Sequence, residues 1–225
     1  MGIRENIFEI KKSLPESVKL VAVSKFNDAE KVMQALEAGQ NIFGENRIQE
    51  AAPKFDFIRS QGYSPELHII GNLQRNKVKE AVRIASRIQS VDRAELVEEI
   101  EKQCAKINKT MEILFEIHTA EDSKSGFTSK EELFSLLQKI YDGLYPHIVT
   151  KGFMTMAPFV DDEKIIRESF KKTSAIQKEA ANFFSKLDLS ELSMGMTQDY
   201  KIAVEEGSTM VRIGTGIFGE RNYSK

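Results

Sequence analysis

Short apolar runs and longer amphipathic stretches alternate along the chain with a regularity that predicts its elements. From Ile3 to Ser13, apolar positions recur at helical spacing in a charged background, which predicts an opening helix. Val18–Lys25 is a Val-rich run suited to a buried strand. Asn27 or Asp28 can then cap a helix that continues through Ala38 and stops at Gly39. The same unit recurs: strands are predicted over 41–46, 66–71, 87–92, 111–120, 148–156, 191–195 and 209–214. Helices are predicted over 47–58, 73–85, 93–108, 129–141, 161–184 and 197–207.

Strict alternation of strand and helix implies parallel strands joined by right-handed crossovers, and eight such strands close a barrel. The expected fold is therefore α/β: a single (β/α)8 TIM barrel over residues 1–225, preceded by an extra N-terminal helix. An open doubly wound sheet is the alternative. A dinucleotide-binding version of it would carry GxGxxG after the first strand, where this chain has SKFNDA. No Pro-rich, Gly/Ser-rich or low-complexity linker marks a second domain.

Composition narrows the partners. The 32 Lys and Arg nearly balance 34 Asp and Glu, so no cationic field gathers nucleic acid. The N-terminal stretch has no apolar core of the signal-peptide kind, and no run is long enough to cross a bilayer, so a cytoplasmic protein without membrane contact is expected. No long apolar surface stripe is evident, and a monomer is expected. The single cysteine, Cys104, excludes an internal disulfide framework and a multi-thiolate metal site. His118 and His147 are scattered, without carboxylates at ligand spacing, so no metal is expected.

In a barrel, ligands sit at the C-terminal ends of the strands. Lys25 ends LVAVSK, and desolvation there would favour its neutral amine, which is what attack on an aldehyde needs. A lysine snorkelling to solvent is the alternative. SMGM after the seventh strand and RIGTGIFG after the eighth supply glycines, hydroxyls and free amides for a phosphate, unless the glycines only form turns. Arg212, inside TMVRIG, requires a ligand or a counter-charge such as Glu45 or Glu116. Asn46, His68, Met154 and Met156 fall on or just after strands and are expected as walls, with His68 a satisfied core histidine; Lys124 could add an electrostatic wall.

The motifs VAVSK (21–25), FGENRIQE (43–50), HIIGNLQRNK (68–77), SVD (90–92), SKSGF (123–127), GFMTMAP (152–158), SMGM (193–196) and EGSTMVRIGTGIFGER (206–221) together closely resemble those of the YggS/PROSC pyridoxal phosphate homeostasis proteins. Their barrel is similar to the N-terminal domain of alanine racemase. The resemblance implies pyridoxal 5'-phosphate as cofactor, held as a Schiff base on Lys25. It also implies Ser193, Gly195, Gly214 and Thr215 around the phosphate, Arg212 facing the ring nitrogen, and Asn46 and Met156 near the ring. Departures at Ile69, His118, Thr197, Gly216 and in FNDAE touch none of Lys25, Ser193 or Arg212.

A racemase needs two acid/base groups on opposite faces of the reacting carbon, and alanine racemase takes the second from a further domain and a partner subunit. None of Tyr63, Tyr141, Tyr145, Tyr200 and Tyr223 is placed by the sequence at a strand mouth. The expected function is thus intracellular pyridoxal phosphate homeostasis: holding the cofactor on Lys25 and releasing it to apo-enzymes, with no catalytic residues assigned. A small amino-acid racemase is the alternative, and a cofactor-free Schiff-base aldolase a third reading.

Overall fold

The computed structural model describes residues 2–120 and 125–220. Eight parallel strands form a closed barrel in sequence order: β1 Lys19–Val23, β2 Ile42–Glu45, β3 Glu66–Ile69, β4 Arg87–Val91, β5 Met111–Glu116, β6 Ile148–Met154, β7 Glu191–Ser193 and β8 Met210–Ile213. The seam closes where β8 pairs with β1, Leu20 opposite Val211 and Val21 opposite Arg212. The doubly wound alternative is thereby excluded.

The helices are α1 Ile3–Ser13, α2 Ala29–Glu37, α3 Ile48–Ser60, α4 Val78–Ile84, α5 Ala94–Lys106, α6 Lys130–Tyr141, α7 Glu163–Phe183, α8 Tyr200–Glu205 and α9 Thr215–Phe218. Asp28 accepts a hydrogen bond from the Lys31 amide at 2.9 Å and Ser129 one from Glu132 at 3.1 Å, so both helices start where an orphan amide finds a side-chain oxygen. The stretch expected as one helix over 73–85 divides into a 3-10 turn, Arg75–Lys77, and α4. The short α9 had not been expected. No helix among the described residues is long and apolar enough to cross a membrane.

Apolar side chains such as Ala22, Phe43, Leu67, Ile88 and Ile113 form the layer between strands and helices. The inside of the barrel is more polar. At its N-terminal end, Arg87 reaches both Glu112 and Glu191, and Lys19 pairs with Glu191 at 2.7 Å. A slip in register between β5 and β6 follows from Lys151 and Gly152: Ile113 faces Thr150, while Leu114 faces Gly152. Gly152 has φ +143, and an added Cβ would lie 1.9 Å from the Glu191 carbonyl oxygen. Only glycine lets β7 approach there, and that approach carries Ser193 to its place inside the barrel.

Candidate functional site

The C-terminal ends of the strands open into a cavity of about 650 Å³. Its walls come from the segments after β1 (Lys25, Asn27), β2 (Asn46), β6 (Met156 to Val160), β7 (Met196 to Asp199) and β8 (Gly214, Thr215), with Arg212 of β8 also lining it. Phe159, 88% exposed, together with Val160 and Met196, gives this cavity an apolar rim.

Lys25 lies beyond the end of β1, half-buried, in a turn with Phe26. Phe26 has φ 65, a left-handed conformation uncommon for a bulky side chain. The surroundings over-determine this turn. Lys54 of α3 donates to Ser24 O and Asn27 O, both at 2.9 Å, and pairs with Glu45 Oε1 at 2.6 Å. An ammonium has three N–H groups, so all of them are engaged. Ser24 Oγ also donates to Glu45 Oε1 at 2.7 Å, and Asn27 Nδ2 donates to Lys25 O at 3.2 Å. Lys54 therefore staples the chain on both sides of Lys25.

Arg212 is 3% exposed, and burial lowers its pKa to about 10 against the attraction of Asp199 and Glu116. Its Nη1 donates to Ser193 O at 2.6 Å and Ser193 Oγ at 2.7 Å, and its Nη2 donates to Thr155 O at 2.8 Å. These acceptors are neutral. Neither carboxylate considered from the sequence forms an ion pair with Arg212 among the described residues: Glu45 pairs with Lys54, and Glu116, which attracts Arg212 from a distance, accepts from Ser125 Oγ at 2.6 Å. A guanidinium has five N–H groups, so Nε–H and one Nη2–H have no acceptor among the described residues.

Across the cavity, Thr215 Oγ1 lies 3.3 Å from Thr197 Oγ1, so hydroxyls from the β7 and β8 segments meet. The first amides of the α9 turn have no acceptor within that turn and offer donors beside them. Asp199 accepts from the Met196 amide at 2.5 Å and thereby shapes the loop; burial raises its pKa.

Of the residues singled out from the sequence, Lys25, Asn46, Met156, Arg212, Gly214 and Thr215 line the cavity. Ser193 and Gly195 do not. Ser193 is fully buried beneath Arg212 and donates to Gln89 Oε1 at 2.6 Å. Gly195 has φ +93 and is packed so closely on α8 that a Cβ would meet Ala203 Cβ at 2.7 Å. Met154 and His68, expected as walls, are fully buried away from it. Tyr63, Tyr141, Tyr145 and Tyr200 are not on its walls either. Lys124 and Tyr223 lie outside the described residues. Lys54, Thr197 and Gln89 had not been singled out for the site. Gln89 gave a signal, a polar residue inside an apolar strand, whereas Lys54 gave none.

Residues 2–222 match the family described as alanine racemase, N-terminal domain. The chain is 35% identical, over 236 aligned residues and 100% of both chains, to a pyridoxal phosphate homeostasis protein of Pasteurella multocida. A mouse protein of the same name is 35% identical over 216 residues, 92% of this chain and 78% of that one. The structure of PipY from Synechococcus elongatus with pyridoxal phosphate bound is similar at a TM-score of 0.90 and 31% identity, covering 96% of this chain and 100% of that one. Alanine racemase of Bacillus anthracis shares the fold, with a TM-score of 0.75 at 20% identity, over 99% of this chain but 56% of its own. The chain therefore belongs to the alanine racemase N-terminal domain family and, within it, to the pyridoxal phosphate homeostasis proteins.

Proposed function

We propose that this protein binds pyridoxal phosphate covalently through Lys25 and holds and releases it to apo-enzymes without turning over amino acids. The observation that carries this reading is the pair Lys25 and Arg212 on one cavity, the first a primary amine and the second a buried guanidinium with two N–H groups lacking acceptors among the described residues. The donor set fits the group. Lys25 would meet the aldehyde, Arg212 the ring nitrogen, and Thr215, Gly214 and Thr197 with the α9 amides the phosphate, while Met156 and Asn46 would flank the ring. Bound pyridoxal phosphate supplies an aldehyde that condenses reversibly with amines and, in enzymes, an electron sink.

Arg212 donates hydrogens and accepts none, so it would hold an aromatic nitrogen unprotonated, the form that withdraws electrons less strongly. Among the described residues, no His or Tyr side chain lines the cavity to serve as a second acid/base group. Asp199, the buried carboxyl on the wall, is turned to the Met196 amide. Both features favour storage over turnover.

The test is to load the purified protein, mix it with an apo-enzyme that requires pyridoxal phosphate, and follow recovered activity. In parallel, exchange of the α-hydrogen of L- and D-alanine is followed in deuterated water. Recovery without exchange is the expected result. Steady exchange abolished by Lys25→Ala would replace the carrier reading with the racemase one. Thr215→Val and Thr197→Val should each speed cofactor loss by roughly ten- to a hundredfold, the effect of one hydrogen bond to a charged group, measured by dialysis against a pyridoxal phosphate scavenger.

A further inference from the structure

A single file of side chains crosses the barrel interior from the cavity to the opposite face. Arg212 Nη1 donates to Ser193 Oγ at 2.7 Å, and Ser193 Oγ donates to Gln89 Oε1 at 2.6 Å. Gln89 Nε2 lies 2.7 Å from His68 Nδ1, and His68 Nε2 lies 2.7 Å from Glu66 Oε1. Ser193, Gln89 and His68 are all fully buried, so water cannot substitute for a missing member.

We propose that Gln89 and His68 are positioning residues for Arg212, acting through Ser193 to hold the guanidinium's unassigned N–H groups toward the cavity, an inference that rests on the pyridoxal phosphate reading above. The directions of the bonds follow from chemistry. A guanidinium cannot accept, so Ser193 Oγ is the acceptor from Arg212, and its own hydrogen goes to Gln89 Oε1. Gln89 must then present its NH2 group to His68, with the second hydrogen toward Met210 Sδ at 3.2 Å. His68 Nδ1 is therefore bare and its hydrogen sits on Nε2, donated to the Glu66 carboxylate. Every bond points the same way, and aligned hydrogen bonds reinforce one another in a low-dielectric interior.

The ring of His68 is faced by Glu66, Arg87 and Glu191, and burial is the largest influence keeping it neutral. A hydrogen placed on Nδ1 would turn Gln89 over, and Ser193 would then lose the acceptor for its own. Arg212 would be left with a disordered hydroxyl on one side. The arrangement is thus all-or-none.

The decisive measurement is the nitrogen-15 spectrum of the His68 ring in the cofactor-free, unaltered protein near neutral pH. A protonated Nε2 and a bare Nδ1 are expected; the opposite tautomer, or a doubly protonated ring, overturns the proposal. Gln89→Met, which keeps the shape but removes both polar ends, supplies the second measurement. It should still attach pyridoxal phosphate at Lys25, with the visible band displaced and cofactor loss roughly tenfold faster, as when a buried hydrogen-bonding group is left unsatisfied. An unchanged band and unchanged loss in folded Gln89→Met overturn the positioning role. If the unaltered protein takes up no pyridoxal phosphate, the cofactor reading fails, and the ring spectrum still decides the bond directions.

Discussion

Lys25→Ala protein incubated with pyridoxal phosphate should acquire none of the visible absorbance that the unaltered protein acquires, and gel filtration should strip it of cofactor. The side chain is half-buried in a turn, so its loss should leave stability within about 1 kcal/mol of the original, as is usual for a site outside the core. Unchanged circular dichroism beside an absent band would separate loss of attachment from loss of fold. The neighbouring amine provides an internal control. Lys54 has its three N–H groups committed to Ser24 O, Asn27 O and Glu45, so it is not available to take over. A band that survives in Lys25→Ala but vanishes in the double variant with Lys54→Ala would show that the attachment had been assigned to the wrong lysine.

Lys54→Met should have the largest effect on stability, about 3–5 kcal/mol, the cost of leaving one member of a buried ion pair alone. The Lys54 side chain is 10% exposed and that of Glu45 1%, and Glu45 Oε2 already lacks a hydrogen-bond partner. Without the ammonium, Glu45 keeps only the Ser24 hydroxyl. For a chain of this size the unfolding midpoint should fall by roughly 10 °C. The double variant Lys54→Met with Glu45→Leu should recover most of that stability, because the uncompensated charge is gone. It should nevertheless release cofactor faster than the unaltered protein, since Ser24 O and Asn27 O then lose the cation that ties them together on either side of Lys25. A single variant as stable as the original would show that the staple contributes little.

The barrel was legible because its evidence is distributed: each strand–helix unit repeats the same periodicity, and errors at the boundaries leave the count of eight intact. The boundaries themselves ran long. Expected strands over 111–120 and 148–156 end at Glu116 and Met154, because Ile117, Thr155 and Ala157 stay buried at the mouth after the ladder has ended. Arg212 was legible because a guanidinium in a buried strand must find acceptors, but the acceptors proved to be carbonyls and a hydroxyl rather than a carboxylate. Ser193 lies off the cavity wall for a related reason. A hydroxyl beside glycines reads as part of an anion nest, yet the three-residue β7 puts it on the inward face, under the site rather than in it. Lys54 could not be found locally, since its three acceptors come from β2 and the β1 loop and only the closed fold assembles them.

The seam between β8 and β1 has a consequence for the order in which the site comes into being. Lys25 is synthesised well before Arg212, and α1 meets α9 through Asn6 Nδ2 and Ile217 O, positions 211 apart in the chain. Contacts of such sequence separation form only after a large loss of chain entropy. A nascent chain therefore carries the reactive amine long before it has the guanidinium or the hydroxyls that complete the pocket. If Lys25 and Arg212 together hold the cofactor as proposed, capture follows closure of the ring, and a bound cofactor reports that closure.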